Sequence, residues 1–256
     1  MAEAPLKVWL EREGALLRLR LARPKANLID AEMIAALRRA LTLHCYNTGL
    51  LAALVDHEGP HFSFGASVPE HLPGSCEEML TALHALIGSM LAWPKPILFS
   101  VRGNCVGGGL EFALAGSLIF AAPDAQFGQP EMKLGVFAPA ASVLLPLRIG
   151  QARAEDLLYS GRSIDAATAC AWGLVSAVNG EPSAAALEYF EQHLAGKSAT
   201  SVAFAVRAAR ESFADLARAR LGDVEALYLD RLMKTRDANE GLNAFIEKRA
   251  PRWEHR

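Results

Sequence analysis

The order of its hydrophobic periods restricts this chain more than any other feature. Over the first half, apolar segments of strand type are interleaved with segments of helical period, whereas from Gln151 onward the helical period prevails. "LKVWLER" and "ALLRLRLA" alternate apolar and polar residues around Glu13-Gly14, which predicts a hairpin. "RPKAN" (23–27) breaks the pattern, and Asp30 then stands as N-cap for a helix with Met33, Ile34, Leu37 and Leu41 on one face. "LLAALVD", "KPILFSVRG" and "SLIFAAP" read as buried strands, and "CEEMLTALHALIGSMLA" as a helix. This order predicts a layered α/β domain rather than a bundle. "ARAEDLLYSG", "DAATACAWG" and "SAAALEYFEQHLA" continue as helices, with "LVSAV" as the one strand between them. A long alanine- and arginine-rich run begins at Ser201 and reaches about Arg220, and the closing residues read as helical to the end. The division expected is a core over 1–195 and a helical C-terminal region over 196–256.

Composition excludes several classes. A net charge of −2 offers nothing to nucleic acid or an anionic membrane surface. No stretch is apolar enough for a membrane span, and "MAEAPLKVWLEREG" has acids where a signal peptide has an apolar centre. Cys45, Cys76, Cys105 and Cys170 are scattered without a C-x-x-C pair, which fits a reducing cytoplasm and neither a disulfide nor a zinc framework. No His, Cys, Asp or Glu cluster has metal-ligand spacing.

"CVGGGLEFALAG" (105–116) carries the chemistry. Three glycines after a strand open a helix, placing free N–H groups and the positive end of a helix dipole at one point. Such a point stabilises an oxyanion or a phosphate; taken alone, it would equally serve tight strand–helix packing. The motif has company. Glu111 closes it, "AQFGQPEMKLG" sets Glu131 on a second loop, and "HFSFGAS" adds another small-residue turn at Gly65-Ala66. Two carboxylates and two backbone-donor turns are the parts that polarise a carbonyl and move protons beside it. His61 and His71 lie near this turn, but "VPEHLPG" is also an ordinary capped turn.

In this order "RPKAN", "FSFGAS" (62–67), "VRGNCVGGGLE" (101–111), "FGQPEMKLG" (127–135) and "AFIEKRAP" (244–251) resemble the crotonase (enoyl-CoA hydratase/isomerase) superfamily over nearly the whole chain. The resemblance implies an α/β fold: a crotonase-like spiral of β-β-α units with a helical C-terminal trimerisation region, assembled as a homotrimer or a dimer of trimers. It implies an acyl-CoA thioester substrate, with coenzyme A arriving as part of that substrate and no other cofactor or metal. Ala66 and Gly108 are the implied oxyanion hole, and Glu111 and Glu131 the implied catalytic pair for water addition. Implied substrate or coenzyme A contacts are Lys25, Ala26, Leu28, Phe64, Ser67, Val68, Gly107, Pro130, Phe137, Pro139 and Lys248.

Two departures from the common pattern bear on the substrate. Ser67 stands where the oxyanion turn of relatives often ends in aspartate, and "GVFAPAASVLLP" replaces a glycine-rich stretch, with Pro139 offering no N–H. Together with "HFSFGASVPEHLP" this is similar to a subgroup of the superfamily that hydrates a cyclic dienoyl-CoA by 1,4-addition, downstream of benzoyl-CoA reduction. A hydratase or isomerase of linear acyl-CoA and a non-catalytic binding protein on the same fold are the alternatives; the paired glutamates speak against the last.

Overall fold

The computed structural model describes residues 4–72 and 74–256. Strands β1 (Leu6–Glu11) and β2 (Leu16–Leu21) form the expected antiparallel hairpin, in register Leu6 with Leu21 and Leu10 with Leu17. Helix α1 (Ala31–His44) follows, its N-cap Asp30 accepting from the Met33 N–H at 3.0 Å and its Met33–Ile34–Leu37–Leu41 face buried. Next come β3 (Ala52–His57), α2 (Cys76–Ala92), β4 (Ile97–Val101), β5 (Asn104–Val106), α3 (Gly108–Leu114), β6 (Leu118–Ala121) and β7 (Gln126–Gly128). Then follow α4 (Pro139–Ile149), α5 (Gln151–Ser160), β8 (Ser163–Asp165), α6 (Ala166–Ala171), β9 (Ala177–Val178), α7 (Pro182–Tyr189), α8 (Ala199–Asp230) and α9 (Arg236–Ile246).

The main sheet has the order β1-β2-β3-β4-β6-β9, and after the hairpin every pairing is parallel. Parallel neighbours need crossovers, and α1, α2 and α3 lie on those connections. Period-two alternation sorts the two faces of this sheet. Leu17, Leu19, Val55, Phe99 and Val101 enter the large core beneath α1 and α2, whereas Leu16, Leu54, Leu98 and Phe120 pack against Ala186 and Phe190 at the end of α7. A second sheet, β5-β7-β8, stands apart and carries the chain into the site.

Two expectations change. The second sheet was not expected, because its strands are three residues each, too short to show a period. Helix α8 covers the alanine- and arginine-rich run, continues to Asp230 in line with the helical reading, and packs Ala214, Ala217 and Leu221 into the large core. The closing residues are not helical: α9 ends at Ile246, Lys248 takes a left-handed φ of 55°, and Pro251 disfavours helix in the residue before it. The tail instead folds back, and the N–H of Arg236 donates to the carbonyl of Arg256 at 2.8 Å. Among the described residues no helix is long and apolar enough to cross a membrane.

Candidate active site

The glycine triplet meets a different neighbour at each position. Gly107 has φ +56°, and a Cβ there would lie 2.7 Å from Glu131 Oε1. A Cβ on Gly108 would lie 3.0 Å from the Ala66 nitrogen, and one on Gly109 would lie 2.6 Å from Ser63 Cβ. The triplet is therefore a surface of close approach to both Glu131 and the 62–67 loop. That loop is laced to β5: Ser63 N donates to Asn104 O at 2.9 Å, and Val106 N to Ser63 O at 3.1 Å. "RPKAN" fastens its other side. Phe64 N donates to Ala26 O at 3.0 Å, and the buried Asn27 amide donates to Glu58 O at 2.9 Å and His61 O at 3.0 Å.

Two backbone donors result. Gly108 is the first residue of α3, so its N–H has no partner within the helix. Among the described residues neither this N–H nor that of Ala66 donates to a protein acceptor. Two free donors this close can hold one oxygen between them, and the α3 dipole favours negative charge there.

Glu111 lies one turn into α3 and is 3 % exposed. Its Oε1 accepts from the Ala141 N–H at 2.9 Å, at the beginning of α4. Pro139 is the first residue of α4, a position where a missing N–H costs nothing. The proline thus leaves the carboxylate-holding role to the next residues in line. Burial pushes the Glu111 carboxyl above the ordinary carboxylate range, against the N–H groups of Ala141 and Ala140, which pull it down. Glu131 is the second residue of a 3₁₀ turn (Pro130–Leu134) after β7 and is half-buried. Burial pushes its carboxyl up, and the charge of Glu111 pushes it further. The fully buried Gln129 amide faces Glu131; with its NH₂ toward the carboxylate it donates to Oε2 at 3.0 Å and Oε1 at 3.2 Å. Two interacting carboxyls whose affinities for protons are both raised resist ionising together, which suits them to act as one acid and one base.

The two carboxyls and the two backbone donors line one cavity of about 610 Å³. Ala66, Gly107, Gly108, Glu111 and Glu131 share this lining with Leu28, Phe64, Ser67, Val68, Pro130, Phe137 and Pro139. Lys25, Ala26 and Lys248 do not line it, although Phe245, one turn before Lys248, does. His71 lines it too, but its Nδ1 lies 3.0 Å from Ser67 O, and burial pushes its pKa below the ordinary value. His61 is occupied elsewhere, its Nδ1 accepting from Asn104 N at 3.1 Å. Four participants escape sequence reasoning. Gln129 and Asn27 look like surface polar residues, Ala141 acts through its backbone, and Tyr228 reaches the wall from α8 to meet Phe137 edge to face at 5.3 Å. Among the described residues no group of three His, Cys, Asp or Glu could hold a metal ion.

Residues 11–256 match the family described as enoyl-CoA hydratase/isomerase. The chain is 61% identical over 255 residues to a cyclohexa-1,5-dienecarbonyl-CoA hydratase of Thauera aromatica, covering 100% of this chain and 99% of that protein. It is 30% identical over 258 residues to a carnitinyl-CoA dehydratase of Proteus mirabilis, covering 96% of this chain and 98% of the other. Among solved structures, an enoyl-CoA hydratase/isomerase of Pseudoalteromonas atlantica superimposes with a TM-score of 0.83 at 29% identity, covering 97% of this chain and 99% of that one.

Proposed function

This chain belongs to the enoyl-CoA hydratase/isomerase family, and from that premise we propose that it hydrates cyclohexa-1,5-diene-1-carbonyl-CoA. The product is 6-hydroxycyclohex-1-ene-1-carbonyl-CoA. The full-length 61% identity to a hydratase of that name carries the reading, and the paired carboxyls facing two free N–H groups supply its chemistry. The ionised carboxylate of the Glu111–Glu131 pair takes a proton from water as the oxygen bonds to the β-carbon. The electron pair of the attacked double bond moves onto the thioester oxygen, where the N–H groups of Ala66 and Gly108 hold it, and the resulting dienolate shares its charge with the second ring double bond. The protonated carboxyl then gives its proton to the far carbon of the second double bond. One water is consumed, and the pair again shares one proton.

Ring selectivity follows from the wall. Phe137 is braced by Tyr228, and Pro139 is buried at the head of α4. A stiff apolar wall loses less ordering entropy with a flat ring than with a mobile alkyl chain. The cyclic dienoyl-CoA is expected to exceed crotonyl-CoA in kcat/KM by at least ~10-fold, about 1.4 kcal/mol of transition-state binding. Side-by-side assays decide this: equal or better turnover of crotonyl-CoA makes the enzyme a hydratase of linear chains. Pro139→Gly is expected to narrow the gap, and an unchanged ratio assigns the proline to helix initiation alone.

The protein works in the cytoplasm, in the anaerobic breakdown of aromatic acids, and needs no cofactor beyond the coenzyme A of its substrate. It assembles as a homotrimer or a dimer of trimers through the C-terminal helices, where Phe204, Leu216 and Leu227 are 68%, 55% and 53% exposed on α8. Light scattering is expected to show the assembly; a stable 27.5 kDa monomer at micromolar concentration contradicts it.

A further inference from the structure

Two arginines outside the reaction gather at the far end of the helix that carries the oxyanion donor. Arg148, in the last turn of α4, donates from Nη2 to Leu114 O at 2.8 Å and to Gly116 O. Its Nε reaches Leu114 O at 3.1 Å and its Nη1 reaches Ser117 O at 3.4 Å. Arg210, from α8, donates from Nη2 to Ala115 O at 2.6 Å and from Nη1 to Ser117 Oγ at 2.9 Å. The two guanidiniums flank one ring, lying 5.0 Å and 5.8 Å from the centre of Phe213. Among the described residues neither has a carboxylate partner, and the charge acting on Arg148 is that of Arg210.

Two like charges drawn largely out of water without a counter-ion destabilise a fold unless something offsets them. Here the offset is the carbonyl end of α3. Helices α3 and α4 both begin at the cavity, with Gly108 and Pro139 in its lining, and both end beside Arg148. The positive pole of α3 therefore points at the site, and its negative pole is held by the arginines. A helix of seven residues is ~10 Å long, so charges at one end are felt at the other through protein rather than bulk water.

We propose that Arg148 and Arg210 are positioning residues of the active site: they cancel the negative pole of α3 and thereby raise the positive potential at the Ala66–Gly108 donors. This rests on reading those donors as the oxyanion site. The same guanidiniums also fix where α3 ends, and so where Gly108 and Glu111 stand.

Arg210→Met and Arg210→Lys test the proposal, with cinnamoyl-CoA as a chromophoric probe. The absorption of this conjugated thioester shifts to the red when its carbonyl is polarised. Arg210→Met is expected to lower kcat about ten-fold with KM within two-fold, and to shrink the red shift of the bound probe. Arg210→Lys, which keeps the charge, is expected to restore most of both. Phe213→Leu, which removes the shared ring but neither charge, is expected to lower the melting temperature and leave the shift intact. If the Met and Lys variants show the same shift as wild type, the arginines are structural only and the proposal fails. Arg148→Met, read the same way, carries the test if Arg210→Met does not fold. A wild type that gives no red shift overturns the reading of the oxyanion site itself, which separates the two claims.

Discussion

Glu111→Gln and Glu131→Gln are each expected to lower kcat by ~10²–10⁴-fold while thioester binding and fold persist, the scale set by general acid–base catalysis. Glutamine keeps the volume of either side chain, and at position 111 its amide oxygen still accepts from the Ala141 N–H. It cannot exchange a proton. The wild-type rate is expected to follow a bell in pH. Its acid limb marks the loss of the first proton from the pair and its alkaline limb the loss of the second. Burial raises both carboxyls, so both limbs lie above ordinary carboxylate titration. In Glu111→Gln the charge that pushes Glu131 upward is gone, and the remaining carboxyl titrates lower than in the wild type. Steady-state rates against pH, with calorimetric binding of a non-reacting thioester, measure this. Hydration by either variant at close to the wild-type rate removes that residue from the mechanism.

The second large effect comes from a single methyl group. In Gly108→Ala the new carbon lies 3.0 Å from the Ala66 nitrogen and 3.4 Å from Ala66 Cβ, beside the donor that would share the carbonyl oxygen. Loss of one oxyanion donor typically costs ~3 kcal/mol of transition-state stabilisation, and here access to both donors is obstructed, so kcat/KM is expected to fall ~10²–10³-fold. Folding is expected to survive, because alanine is the better helix former by ~1 kcal/mol and position 108 has no positive φ to strain it. A thermal melt beside the kinetics separates these terms. Activity within three-fold of wild type would move the oxyanion site elsewhere.

Much of this site is legible in the residues because glycine, proline and charge carry local signals. Asp30 announces α1, and "VGGGLE" announces a strand, a bare turn and a carboxylate in that order. What is not legible is cooperation across distance. Ala141 holds Glu111 through an N–H that every residue but proline possesses, so no side chain marks it. Gln129 stands two residues before Glu131, yet only the β7 backbone shows that it points inward. Tyr228 enters the wall from nearly a hundred residues beyond Glu131, placed by the packing of α8 on α2 and α4. Ala26 presents its carbonyl to Phe64, and Lys25 and Lys248 lie outside the cavity, where no feature of the fold marks what they meet.

The central claim is the direction in which water adds to the ring, and deuterium placement reads it directly. When cyclohexa-1,5-diene-1-carbonyl-CoA is turned over in D₂O and the product examined by NMR, 1,4-addition puts the hydroxyl on C6 and the deuterium on C3, across the ring from it. Deuterium on C1, next to the thioester, would show simple addition across the nearer double bond and contradict the account.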